Sequence, residues 1–183
     1  AVKNGVCVDT SMGFTPLEGL VMGTRSGAVD PAIITFIKEK EEINADAVVS
    51  ILNKKSGMLG VSGVSSDFRD VEKAAKEGNE RCALAIKIFA GRVKSYIGSY
   101  LAQMNGADVI VLIPTNDIMM RELICAEMEN LGVKIDPVKN NVRGEEAVVS
   151  TDDSKVQVLL IPTNEELMIA KDTAEIVEKV KNN

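Results

Sequence analysis

Residues 108–113 read DVIVLI, a near-continuous apolar run, and a helical pattern follows almost at once from about residue 117 to 131 with Gly132 as its stop. A strand open to water on one side alternates polar and apolar residues, so this run predicts a strand buried on both faces. A strand that feeds a helix through a short turn is the repeating unit of α/β proteins. Further short strands are expected over residues 133–135, 147–150 and 156–161. Thr163 and Glu166 then stand at the spacing of a capping box, which predicts a closing helix through about Val180.

The first half has a helical rhythm. Asn4-Gly5 predicts a turn before a short strand over residues 6–9. Thr15-Pro16-Leu17-Glu18 has the spacing of a capping box with proline in the first helical position, so a helix is expected there. Asp30-Pro31 predicts a second helix through Lys40, and Asn44 or Asp46 caps a third that stops at Ser56-Gly57. Residues 67–77 predict a fourth, ended by Gly78. From Asn79 to Met104 the pattern is continuously helical, with Leu84, Ile88, Val93, Ile97 and Leu101 mostly at three-to-five spacing, until Asn105-Gly106 breaks it. The expected architecture is α/β, a mixed sheet covered by helices. No linker or low-complexity stretch divides residues 1–183, so one domain is expected.

Composition narrows the classes of function. Hydrophobic residues make up 45% and charged residues 26%, a balance that permits a packed core and excludes disorder as the main state. A net charge of −6 without a basic cluster would repel a phosphate backbone, so no nucleic-acid partner is expected. The apolar runs are too short to span a bilayer and the N-terminus carries no basic-then-apolar segment, so neither a membrane nor a secreted setting is expected. Cytoplasmic placement follows. Cys7, Cys82 and Cys125 are odd in number and embedded in apolar sequence, which predicts buried reduced thiols.

Several segments carry a resemblance. DTSMGFTPLEGLVMGTRSG at residues 9–27, NKKSG at 53–57, GVSSDFRD at 63–70, KEGNERC at 76–82, VRGEEA at 142–147 and IPTNEELMIA at 161–170 resemble the motifs of acetate kinases, in the family's order. Butyrate and propionate kinases share that fold, but DTSMGFTPLEG is closer to the acetate enzymes. The resemblance implies phosphoryl transfer between ATP and acetate, giving acetyl phosphate and ADP, with Mg2+ as cofactor. It also implies a ribonuclease-H-like domain of the sugar kinase, Hsp70 and actin superfamily, similar to the C-terminal half of an acetate kinase, the half through which that family forms homodimers. The family's active-site histidines have no counterpart, since the chain has none. Turnover would then need a missing N-terminal half, and the alternative is an excised or engineered noncatalytic module that folds and self-associates.

What the resemblance implies about the site can be set beside a plainer account of each residue. Arg25, among Gly23, Thr24, Ser26 and Gly27, matches the family's catalytic arginine, a guanidinium fork for a carboxylate or phosphoryl group. On its own it reads as a solvated loop arginine. Pro16 matches the apolar wall around the acetate methyl group, although starting a helix also explains it. Asp67, Phe68 and Arg69 match the triplet that contacts adenosine; an N-cap, a core ring and a surface charge are the alternative. Glu165 matches the glutamate that positions magnesium, an ion that commonly takes one or two carboxylates plus water and phosphates. It could equally complement the dipole of the last helix.

One segment departs from the pattern. After the strand at 108–113 the family has a glycine-rich turn, FTAGIGEN, whose glycines admit close approach of adenosine and phosphates. This chain reads LIPTND at 112–117, about three residues shorter by this alignment, with Asn116 standing at the motif's terminal asparagine, a nucleotide-binding position. LIPTNE recurs at 160–165. A deliberate edit that copied one turn onto another accounts for this, as does a natural degenerate relative.

Overall fold

The computed structural model describes residues 1–113 and 117–181. Their contacts divide the chain into two compact units, Ala1–Ala107 with Leu123–Cys125, and Asp108–Glu122 with Ala126–Asn183.

The first unit opens with strands β1 (Val2–Lys3) and β2 (Val6–Cys7), paired antiparallel with Val2 opposite Cys7. Asn4 and Gly5 join them at φ of 52° and 77°, the two left-handed positions of a tight hairpin turn. Helices α1 (Ala32–Lys40), α2 (Ala45–Lys54), α3 (Gly57–Ser62), α4 (Phe68–Lys76) and α5 (Glu80–Met104) follow. Three begin on side-chain caps that the sequence announces. Asn44 accepts from the Ala47 N–H, Asp67 from Arg69 and Asn79 from Cys82. Asn105 ends α5 in the left-handed conformation. α5 packs on both α3 and α4, and α1 on α2. Cys82, Ala85, Ile86, Ala90 and Leu101 of α5 are buried, as are Val71, Met58, Val48 and Leu52 from the shorter helices.

No helix forms at Thr15–Glu18. The Thr15 hydroxyl does accept from the Leu17 N–H at 3.3 Å, but this turn is not propagated. Gly19, Gly23 and Gly27 explain why, since each glycine costs about 1 kcal/mol in a helix and tertiary bonds offer more. Gly19 takes φ of 102° and its carbonyl accepts from Ala28 N–H. A side chain there would meet the Ser11 carbonyl oxygen at 2.2 Å. This irregular stretch is pinned to α5, Gln103 Nε2 donating to Asp9 Oδ2 at 2.6 Å and Arg92 Nη2 to the Ala28 carbonyl at 2.8 Å. Helix α3 is an element the sequence pattern missed.

The second unit holds a three-stranded mixed sheet of order β3 (Val109–Leu112), β5 (Gln157–Leu160) and β4 (Ala147–Val148). β3 runs parallel to β5 with Val109 opposite Gln157, and β4 runs antiparallel to it. The segment expected as a strand at 133–135 makes only isolated bridges, Val133 to Val156 and Ile135 to Ser150. Burial on both faces fails for β3, an edge strand whose Val109 and Val111 are 39% and 44% exposed. Val158 and Leu160 of the central strand are buried.

Helix α6 (Ile118–Cys125) is shorter than expected. Ala126 turns extended and Glu127 takes φ of 58°, and a 3-10 turn at Glu129–Leu131 carries the chain to the Gly132 stop. No glycine or proline marks this break. Met128, just past the break, is buried. Helix α7 (Glu165–Lys181) is capped by Asn164, which accepts from the Leu167 N–H at 3.1 Å, and not by Thr163. Cys82 and Cys125 are buried as expected, but Cys7 is exposed, contrary to the expected burial, because the hairpin that carries it leaves both its strands open. Among the described residues no helix is long and apolar enough to cross a membrane.

Candidate functional site

The glycine-flanked loop that carries Arg25 is held by the segment joining α2 to α3. Ser26 N–H donates to the Leu52 carbonyl, Ser56 N–H to Thr24, Met58 N–H to Met22 and Leu59 N–H to Gly23, each at 2.9 Å. The Thr24 hydroxyl adds a bond to the Asn53 carbonyl at 2.9 Å. Met58 and Leu59 lie in the first turn of α3, where helical N–H groups lack intrahelical partners; here loop carbonyls satisfy them. At the other end of α3, Arg81 donates from Nε to the Val61 carbonyl and from Nη2 to Gly60.

Two glycines allow this approach. Gly57 sits at φ of 63°, and a β-carbon there would stand 2.2 Å from the Met22 carbonyl oxygen and 2.6 Å from that of Arg25. One at Gly23 would stand 2.9 Å from the Ser66 carbonyl oxygen. Backbone atoms cannot swing aside as a flexible side chain can, so both positions require glycine unless the loop moves.

The loop and α2 line an open cleft of about 860 Å3 together with Ser66. Arg25 and Lys54 supply its cations and Asp46 its carboxylate, with Thr24, Ser50, Asn53 and Ser66 as neutral polar groups. The Arg25 guanidinium is half-buried and Nη1 meets the Met22 thioether at 3.6 Å, a weak acceptor that leaves the fork able to bind an oxyanion. Asp46, Val49, Ser50, Asn53 and Lys54 recur at the spacing of one helix face, opposite the buried Val48 and Leu52. That periodicity was the signal for a cleft wall, and sequence reasoning about individual motifs passed over it.

Ser66 leads directly into Asp67, Phe68 and Arg69, the candidate nucleotide triplet. Asp67 caps α4 and also pairs with Arg69, whose Nη2 lies 2.5 Å from Oδ2. Hydrogen bonds from the Arg69 side chain and backbone hold the Asp67 carboxyl down at about 2, and the same pairing raises the Arg69 guanidinium. Arg69 is 89% exposed, so its fork can turn from Asp67 to a ligand without disturbing a core. Phe68 is half-buried, its ring 5.4 Å from that of Phe89 in an edge-on contact. A ring used in this way joins α4 to α5, which favours the core account of it over a free stacking surface.

The remaining candidates lie apart from this cleft's lining. Pro16 is exposed in the irregular stretch before Gly19 and starts no helix. Glu165 is exposed in the first turn of α7, within the second unit. Among the described residues no group of three or more His, Cys, Asp or Glu could hold a metal ion. A lone carboxylate such as Glu165 fits magnesium as one ligand among waters and phosphates, and no more than that. Asn116 and the turn around it lie outside the described residues.

The sequence model of the acetokinase family matches residues 1–171. The chain belongs to the acetokinase family. It is 62% identical to the acetate kinase of Thermoanaerobacterium thermosaccharolyticum, a match covering 99% of this chain and 46% of that one. Among solved structures it is similar to the Porphyromonas gingivalis acetate kinase, with a TM-score of 0.92 and 49% identity over 96% of this chain and 45% of that chain. A propionate kinase from Francisella tularensis gives 0.86 and 41% over 93% and 44%. These similarities establish the expected α/β actin-like fold. This acetokinase-family chain spans about half the length of the relatives it matches.

Proposed function

We propose that this chain contributes the arginine and the adenosine-contacting groups of an acetate kinase, which moves a phosphoryl group between ATP and acetate. The observation that carries this reading is the half-buried Arg25 guanidinium, held in a clamped loop on a polar cleft that leads through Ser66 to Asp67. Arg25 would neutralise charge on the transferring group, the largest contribution a protein makes to this reaction. Asp67 would accept from ribose hydroxyls once Arg69 turns to the base. Pro16 would wall the acetate methyl group and Glu165 would hold magnesium, which when bound draws charge from the phosphates. A cytoplasmic setting belongs to the same reading, supported by the burial of Cys82 and Cys125 in the core.

Positioning and charge stabilisation in phosphoryl transfer need groups on both sides of the reactants, so the chain by itself is proposed to be inactive. A coupled acetyl phosphate assay tests this, run on the chain alone and on the chain mixed with the N-terminal half of a relative. Activity is expected only in the mixture, and Arg25→Ala should abolish it. Turnover by the chain alone, lost in Arg25→Ala, would refute the inactive state.

A second reading, a noncatalytic module that pairs with itself, is favoured by α7, which buries no residue and exposes Leu167, Met168, Ile169, Ile176, Val177 and Val180. Light scattering is expected to show a homodimer of the 19.6 kDa chain, and a monomer at high micromolar concentration would count against pairing.

A further inference from the structure

We propose that Thr24 and Gly57 are positioning residues for Arg25, acting through the backbone clamp that joins its loop to the segment between α2 and α3. This rests on the reading of Arg25 as the anion-binding group of the site. Among the described residues the guanidinium makes one weak hydrogen bond, to the Met22 thioether, so bonds of its own within the described structure do not set its direction. Direction must come from the backbone that carries it. That backbone is fastened to residues 52–59 by the Thr24 hydroxyl on the Asn53 carbonyl and by four backbone bonds between residues 22–26 and 52–59.

Gly57 is where the two segments come nearest. The Met22 and Arg25 carbonyl oxygens occupy the space that any side chain on residue 57 would need, at 2.2 and 2.6 Å from its β-carbon. Gly57 also takes a left-handed φ that side-chain-bearing residues adopt at a cost. Any substitution must therefore push away the carbonyl of Arg25 itself. Thr24 acts more gently: its loss removes one bond next to Arg25 and leaves the packing of a β-branched side chain intact. A displacement of about 1 Å at a positioned charge is enough to lower its effectiveness a hundredfold in catalysis, so such a clamp carries functional weight without touching a ligand.

The test uses the whole chain and inorganic phosphate as probe. The Arg25 Nε–H resonance, assigned by its absence from Arg25→Ala, reports the side chain's surroundings, and a phosphate titration reports its use. Thr24→Val is expected to shift that resonance and weaken phosphate binding about tenfold, equivalent to one step of tenfold in Kd, with little change in Tm. Thr24→Ser, which keeps the hydroxyl, should restore both. Gly57→Ala should shift the resonance further. If Gly57→Ala does not fold, the Val and Ser pair at position 24 decides. An unshifted resonance and unchanged affinity in folded Thr24→Val would overturn the proposal. Phosphate binding that is absent, or equally strong in Arg25→Ala, removes the anion-binding reading of Arg25, and the resonance comparison still decides whether the clamp directs the side chain.

Discussion

Asp67 shows how one residue serves the fold and the candidate site at once. Its carboxylate accepts from the Arg69 N–H, which starts α4, and from the Arg69 guanidinium. These bonds hold its pKa at about 2, below the ordinary 3.8. A lowered folded value means that the stability Asp67 contributes is fully present above 3.8 and is lost as pH falls through about 2. Because the first cause is the Arg69 side chain, Arg69→Ala should move the Asp67 titration up toward 3.8, leaving it somewhat below because the backbone bond remains. A carbon-13 titration of the carboxyl groups reads this directly, and an unmoved midpoint would assign the whole effect to the backbone cap. The capping role was legible in sequence, since Asp before a helical run is a local signal. The placement of Arg25 was not. It depends on contacts between segments about thirty residues apart, and no local pattern around Arg25 encodes them.

At the scale of elements, legibility follows the same division. α2, α4 and α5 start at Asn44, Asp67 and Asn79 because cap and period agree there. The expected helix after Thr15 had a cap without a propagating period, and the glycines that follow decided against it. α6 failed differently: a good period ran on to Leu131, but Ala126 turns extended and Glu127 left-handed, which ends the helix at Cys125. The second unit also buries Arg121 on α6 at 2% exposure, a burial that periodicity alone would have given to an apolar residue. Nε donates to Asn140 Oδ1 at 2.7 Å, and Nη2 donates to the carbonyls of Asn140 and Val142 at 2.7 and 2.9 Å. Asn140, itself fully buried, returns a bond to the Ile118 carbonyl at 3.2 Å. This network ties the start of α6 to the loop before VRGEEA. A lysine keeps the charge but has no planar fork, so Arg121→Lys should destabilise the fold by about 3 kcal/mol, nearly as much as Arg121→Met. For a chain of this size that is a fall of roughly 6 to 12 °C in Tm. A lysine variant that melts with the wild type would show that charge alone holds the loop.

At the scale of the whole molecule, the question is whether the groups proposed to contact nucleotide add up to a nucleotide site. Of the candidate triplet, Asp67 has a carboxylate able to accept and Arg69 is exposed enough to turn outward, while Phe68 packs on Phe89. What the family adds after β3 is a glycine-rich turn, and the sequence here offers proline at 114 and side chains at Ile113 and Thr115. Proline has no N–H to give a phosphate, and side chains fill space that glycines leave for close backbone approach. On the proposed reading the remaining contacts would be a ribose hydrogen bond and a stacked guanidinium, each exposed to water and each modest in net strength. Calorimetric titration with magnesium-ATP should therefore give a Kd no tighter than about 1 mM, or about −4 kcal/mol. Replacing residues 112–116 with the family's glycine-rich turn should tighten binding by at least about tenfold, while Asp67→Ala in that background should reverse much of the gain. Micromolar binding by the unaltered chain would mean that the triplet and Arg25 suffice without the turn. No gain on replacement would mean that the turn is not what limits affinity, because the groups facing the nucleotide from the rest of an acetate kinase then set it.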